Sequence, residues 1–185
     1  MIIFIDESGI HKQIDHSTFA LVHISFENKE MAEARLKEIE TNLRIESFHW
    51  TEHSWKVREK FFKSVVSLPF EVKIAIFRNP VSPAKALSWS LQHVLVEKHF
   101  RGIYIDGKKP RWVEYQIKKA LRDKGVSVAK LKTVRYQGSF CMHLADAFAG
   151  LSRAYYDNPE EKAKNLWKIA SKKITAQLLG GQTDG

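Results

Sequence analysis

Ile3-Phe4-Ile5-Asp6-Glu7-Ser8-Gly9 and, a hundred residues further on, Ile103-Tyr104-Ile105-Asp106-Gly107 are the two stretches on which the fold turns. Each is a short apolar run rich in β-branched residues that closes on an aspartate and then reaches a glycine, the pattern of a buried strand ending in a turn. Strands apolar on both faces belong inside a sheet covered on both sides. Laid side by side and parallel, they bring both aspartates to one sheet edge, where α/β folds place their sites. Two carboxylates about 4 Å apart repel by roughly 4 kcal/mol at an effective dielectric near 20. A divalent cation removes that repulsion.

Outward from these strands the chain alternates in kind. Ser17 to Phe26 reads as a second strand after a longer than usual hairpin loop from Gly9 to His16. Asn28 can cap a helix from Lys29 to Leu43, and a further helix runs to about Val66, stopping before Pro69. Phe70 to Phe77 alternates as a third strand, and Pro83 opens a long helix expected to reach Phe100. A helix over Arg111 to Lys124 puts Val113, Ile117, Ala120 and Leu121 inward and Lys118, Lys119 and Arg122 outward. Lys130 to Tyr136 is the last strand expected, and helices over Ser139–Tyr156 and Glu160–Leu179 close the chain. The order predicts an α/β fold, antiparallel strands first and then strands joined through helices, in one domain over residues 1–180 with a loose tail at 181–185.

Composition narrows the classes. At 185 residues and 44% apolar the chain can build one sizeable core, and no stretch approaches a membrane span. The opening Met-Ile-Ile-Phe-Ile-Asp has no basic region and runs straight into a strand, unlike a signal peptide, so a cytoplasmic location is expected. Cys141 is the only cysteine, which excludes intrachain disulfides and cysteine-only zinc sites. The net charge of +9 is uneven: residues 1–53 carry 5 basic and 10 acidic side chains, residues 54–135 carry 19 and 6. An acidic opening joined to a basic middle suits a protein that holds metal with one part and phosphates with the other. Lysines that merely solubilise helix faces give the same count.

A third acid lies in His143-Leu144-Ala145-Asp146-Ala147-Phe148-Ala149-Gly150. A charge on a helix of small and apolar residues needs a partner. Ala149 and Gly150 would let the helix approach the sheet and bring Asp146 to the strand ends. A carboxylate paired with Arg153, or one left in water, is the alternative.

The opening Phe-Ile-Asp-Glu-Ser-Gly and the late Leu-Ala-Asp-Ala-Phe-Ala-Gly together resemble the bacterial family catalogued as domain of unknown function 3800. The resemblance runs from Phe4 to about Gly150 and implies a ribonuclease H-like mixed sheet with flanking helices, with Asp6, Glu7, Asp106 and Asp146 as its acidic, metal-binding and catalytic positions. Where that family often carries a glutamine just ahead of its leucine-alanine-aspartate, this chain has His143, and His49 with Glu52 loosely match a histidine and glutamate in its middle region. His49, Glu52 and His143 are therefore candidates for supporting the acids. The implied chemistry is phosphodiester hydrolysis with Mg²⁺ or Mn²⁺ held by Asp6, Asp106 and Asp146. Regular strand geometry points Glu7 away from Asp6, so it joins only if the chain turns or bulges at Ser8-Gly9.

Other constellations compete. His49-Trp50-Thr51-Glu52-His53 has the His-x-x-Glu-His form of a zinc peptidase class, in which both histidines share a helix face. His11 and His16 read as surface residues, and Ser8, without a nucleophile elbow around it, as a cap. Trp50, Trp55, Trp89 and Trp112 would stack bases if exposed and fill the core if not. Lys108, Lys109 and Arg111 directly follow Asp106 and are placed to hold nucleic acid, DNA or RNA, through its phosphates. The expected function is a metal-dependent nuclease or phosphodiesterase. A nucleic-acid-binding protein without catalysis on the same fold is the alternative, and a zinc hydrolase using His49 and His53 the third.

Overall fold

The computed structural model describes residues 1–9, 16–95, 99–135 and 138–180. Among these residues eight strands and six α-helices follow in the order β1 (Ile2–Ser8), β2 (Thr18–Phe26), α1 (Lys29–Leu43), α2 (Trp55–Val65), β3 (Glu71–Arg78), α3 (Pro83–Val94), β4 (His99–Phe100), β5 (Gly102–Asp106), α4 (Arg111–Asp123), β6 (Ser127–Val128), β7 (Leu131–Val134), α5 (Phe140–Asp157), α6 (Glu161–Ala170) and β8 (Ile174–Leu179). Single 3₁₀ turns sit at Trp50–Glu52 and Ser171–Lys173. Most of the hairpin loop, including His11, and residues 181–185 lie outside the described residues.

Six strands form one mixed sheet in the order β7-β5-β1-β2-β3-β8. β1 pairs antiparallel with β2, and β2 with β3, while β5 runs parallel to β1 and β7 parallel to β5. The first strand therefore sits in the middle beside the aspartate-ending strand, as the two matching stretches require. Ile3 and Ile5 of β1 join Ile103 and Ile105 of β5 in a core shared with α3 and α4. Phe4 lies in the opposite core, with α1, α2, α5 and α6. The sheet is covered on both faces, which is why its central strands tolerate so little polar character.

α5 is the helix that matters for the site. It packs on β1 and β2 and also meets α1 and α6, and from Cys141 to Ser152 every residue is buried except Asp146. Full burial of Leu144, Phe148 and Leu151 contributes about 1.5–3 kcal/mol each. That anchors a helix which also carries a half-buried charge. α1 grips it through two acids: Glu33 accepts from the Phe140 N–H (2.7 Å) and the Ser139 hydroxyl at the α5 N-terminus, and Glu40 accepts from His143 Nδ1 (2.7 Å). A carboxylate at a helix N-terminus complements the helix dipole.

Three local expectations differ from the structure. The helix from Pro83 ends at Val94, and His99–Phe100 pairs as a strand with Ser127–Val128. The closing helix stops at Ala170, and Ile174–Leu179 becomes β8, an edge strand parallel to β3. Its half-buried residues alternate with exposed ones, and the two lysines before it sit in the 3₁₀ turn. Ser8 is no cap: it is the last residue of β1, paired with Ala20.

Candidate active site

The parallel register fixes two of the acids. Ile5 of β1 is level with Ile105 of β5, so Asp6 and Asp106 are the next positions along neighbouring strands. Two residues earlier the rings of Phe4 and Tyr104 stack at 5.0 Å on the α5 side of the sheet, and strand alternation puts Asp6 and Asp106 on that same face. α5 brings Asp146 to it from above. The charges of Asp146 and Asp106 both act on Asp6, and Asp106 also acts on Asp146. Three carboxylates distant in sequence thus share one electrostatic site.

Its energetics are unfavourable to negative charge. Asp6 is 6% exposed, and burial first, then the Asp146 and Asp106 charges, push its carboxyl well above the usual carboxylate range. The Glu7 N–H, donating to Asp6 Oδ1 at 2.8 Å, opposes this only in part. Asp146 is also raised, chiefly by burial. Against that stand the Trp50 N–H, donating to its Oδ2 at 2.6 Å, and the charges of His49 and His143. Arg153 is not its partner; that guanidinium bonds Asp157 one helical turn on, at 3.3 Å.

Whether a divalent cation fits can be asked of the donors themselves. Carboxylate oxygens are the hard ligands that Mg²⁺ and Mn²⁺ prefer, and mutual repulsion among buried acids is what a cation would relieve. Among the described residues, however, no three acid, histidine or cysteine side chains close around a common point. The arrangement therefore fits an ion held directly by one or two carboxylates, its remaining positions filled by water, which is how magnesium is ordinarily bound. Asp6 and Asp106, level on adjacent strands, are the natural direct pair.

The other candidates separate. β1 stays regular through Glu7 and Ser8, opposite Leu21 and Ala20, so no bulge turns Glu7 toward Asp6. Glu7 forms an ion pair with Lys109, which withdraws that lysine from the exposed basic cluster, while Lys108 and Arg111 remain exposed. His143 is buried against Glu40, one helical turn from Asp146. His49 bonds Thr51 through Nδ1 (2.9 Å), and Glu52 is exposed.

The helix that a His-x-x-Glu-His zinc site needs is not there. His49 and His53 flank a single 3₁₀ turn, and His53 Nε2 donates to the Ser47 carbonyl at 2.9 Å.

Sequence reading named Trp50 only as a ring to stack bases or fill the core, and missed its N–H, Glu40 and Arg58. Trp50 is buried, its ring seated where a side chain on Gly150 would stand: a Cβ there would fall 2.1 Å from Trp50 Cγ. Gly150 thus admits this ring rather than the sheet. Glu40 carried no signal beyond its place on the inward face of α1, and Arg58 none beyond the two tryptophans near it.

No family model matches the chain, and no curated protein matches it in sequence. Among solved structures, a chain of the PCNA:RNase HII complex from Archaeoglobus fulgidus is similar at 12% identity, over 93% of this chain and 89% of that one, with a TM-score of 0.56. At that identity the likeness speaks to the fold, and with the strand order above it is conclusive: the chain has an RNase H-like fold.

Proposed function

We propose that this protein is a metal-dependent nuclease or related phosphodiesterase whose acidic site is Asp6, Asp106 and Asp146, and that it belongs with the domain of unknown function 3800 proteins its end motifs resemble. The observation that carries the reading is the mutual influence of three carboxylates from β1, β5 and α5 on one face of an RNase H-like sheet. Bound Mg²⁺ or Mn²⁺ would supply a water activated near neutral pH and a stabilised leaving oxygen. The chain supplies the rest. Asp6 and Asp106 offer ligand oxygens from rigid central strands. The Trp50 N–H fixes the Asp146 carboxylate, and His143, held by Glu40, stands one helical turn away from it.

A basic surface supports nucleic acid as the substrate class. α4 begins just past Asp106 and exposes Arg111, Lys118, Lys119 and Arg122 together with Trp112 (56% exposed) and Tyr115 (66%). Cations interleaved with exposed aromatics suit phosphates and base faces. Beside it lies an open groove of about 490 Å³ that Lys118, Lys130 and Lys132 help to line.

The test is cleavage of labelled single- and double-stranded DNA and RNA with Mg²⁺ or Mn²⁺. Asp6→Asn keeps the size and the acceptor for the Glu7 N–H but not the charge that holds metal. Cleavage by the parent should vanish with chelator and fall by at least about a hundredfold in this variant, a loss of order 3 kcal/mol in transition-state stabilisation. Cleavage that survives Asp6→Asn would refute the assignment. The second reading, binding without cleavage, draws on the absence of a closed three-ligand cluster among the described residues. An inactive parent that binds nucleic acid would favour it.

A further inference from the structure

Arg58, on α2, is held more firmly than a solvating side chain needs to be. Its Nε donates to the Trp50 carbonyl at 2.9 Å, and its guanidinium lies 4.1 Å from the Trp50 ring centre and 4.8 Å from that of Trp55. The two rings meet edge to face at 90°, their centres 5.6 Å apart. Trp50 is itself fixed: its ring sits on Gly150 and its N–H holds Asp146. The main chain of one residue therefore connects the Asp146 carboxylate to the Arg58 guanidinium.

A guanidinium has five N–H donors, of which this contact uses one. Among the described residues, Nη1 and Nη2 make no hydrogen bond and no ion pair at contact distance, with Asp146 included. The charge of Asp146 nonetheless acts on Arg58, so the two groups belong to one field. Arg58 is half-buried, its guanidinium 4.1 and 4.8 Å from two indole centres, and its terminal nitrogens keep their donors for a ligand. A planar fork held in advance loses little freedom on binding, and its geometry matches the paired oxygens of a phosphate. The three acids repel such an anion, and a fixed cation in the field of Asp146 offsets that repulsion.

We propose that Arg58 is the phosphate-binding arm of the acidic site, with the Trp50–Trp55 pair as its mount, and that it grips a backbone phosphate of the nucleic-acid strand. The proposal rests on the nuclease reading for its substrate class. It also changes what the two tryptophans do: they hold an arginine rather than stack bases.

The experiment measures binding of labelled single-stranded and duplex DNA and RNA oligonucleotides to the full chain in chelator, from about 50 to 200 mM salt. Arg58→Gln should weaken binding about tenfold, the scale of one charge-assisted hydrogen bond. It should also reduce the slope of log affinity against log salt by about 0.7–0.9, one phosphate contact. Arg58→Lys keeps the charge and should keep the slope. Equal weakening in both variants with the slope unchanged would mean that Arg58 only braces Trp50, and would overturn the proposal. So would parental affinity in Arg58→Gln, or a parent that binds none of the oligonucleotides.

Parallel cleavage assays with Mn²⁺ separate this from the nuclease reading. Arg58-dependent binding by an inactive parent leaves the phosphate arm standing and removes catalysis. An active parent whose KM is unchanged by Arg58→Gln does the reverse.

Discussion

Asp6 is ionised at a cost. Its raised pKa means that the folded protein disfavours the charged form more than the unfolded chain does. The sign follows from linkage. Below the unfolded value, near 3.9, the carboxyl is neutral in both states and the penalty is absent. It grows as pH rises toward the folded pKa and stays constant above it. Asp6→Asn, studied in chelator, should therefore stabilise the protein at pH 7.5 by about 1 kcal/mol, roughly 2–4 °C in Tm for a chain of this size. The gain should shrink as pH falls toward about 4. Thermal unfolding followed across pH checks this, and a variant less stable than the parent throughout would mean that neither burial nor the neighbouring acids penalise the Asp6 charge. Asp6 and Asp106 stood out in the sequence because each closes a matching apolar run, although β1 continues past Asp6 to Ser8. Their partners did not. The Trp50 N–H and Asp146 lie 96 residues apart, and no local pattern marks a backbone donor for a distant carboxylate.

At the scale of elements, α5 is where sequence and structure agree in substance and differ in reason. The Asp146 charge does act on Asp6, but Gly150 serves the Trp50 ring, and Arg153 serves Asp157. Gly150→Ala should test that packing. Alanine is the better helix former by about 1 kcal/mol, so an innocent position would gain stability. Here the new Cβ would sit 2.1 Å from Trp50 Cγ, and overpacking of this kind costs about 1–3 kcal/mol. Tm should fall, and cleavage with it, as the Trp50 N–H shifts from Asp146. A rise in Tm with unchanged cleavage would show that Trp50 is not seated there. The elements that sequence misjudged are those whose boundaries lack a strong breaker. Nothing between Val94 and Phe100 is glycine or proline, so the helical pattern ran on into β4. β8 opens on the β-branched Ile174 and Thr175 but continues as alanine, glutamine and two leucines, good helix formers that the free edge of β3 recruits into the sheet.

Over the whole molecule, the division of charge read from sequence acquires a geography. The acidic first part contributes Asp6 on the central strand and Glu33 and Glu40 on the helix that grips α5. The basic middle contributes α4, which follows the Asp106 end of β5, and Arg58, in the field of Asp146. Among the described residues no helix is long and apolar enough to cross a membrane. The parallel pairing of β1 with β5 was legible as one arrangement of the two matching apolar stretches, while the edge strand β8 was not. The surface that would meet a substrate was only partly legible, since exposure of Trp112 and burial of Trp50 depend on packing that composition does not encode. The central claim is that Asp6, Asp106 and Asp146 form a metal centre. An anomalous difference map from crystals soaked in Mn²⁺ tests it most directly. A peak is expected within about 2.3 Å of carboxylate oxygens of Asp6 and of Asp106 or Asp146. A peak only at His49 or His53, or none at saturating Mn²⁺, would contradict it.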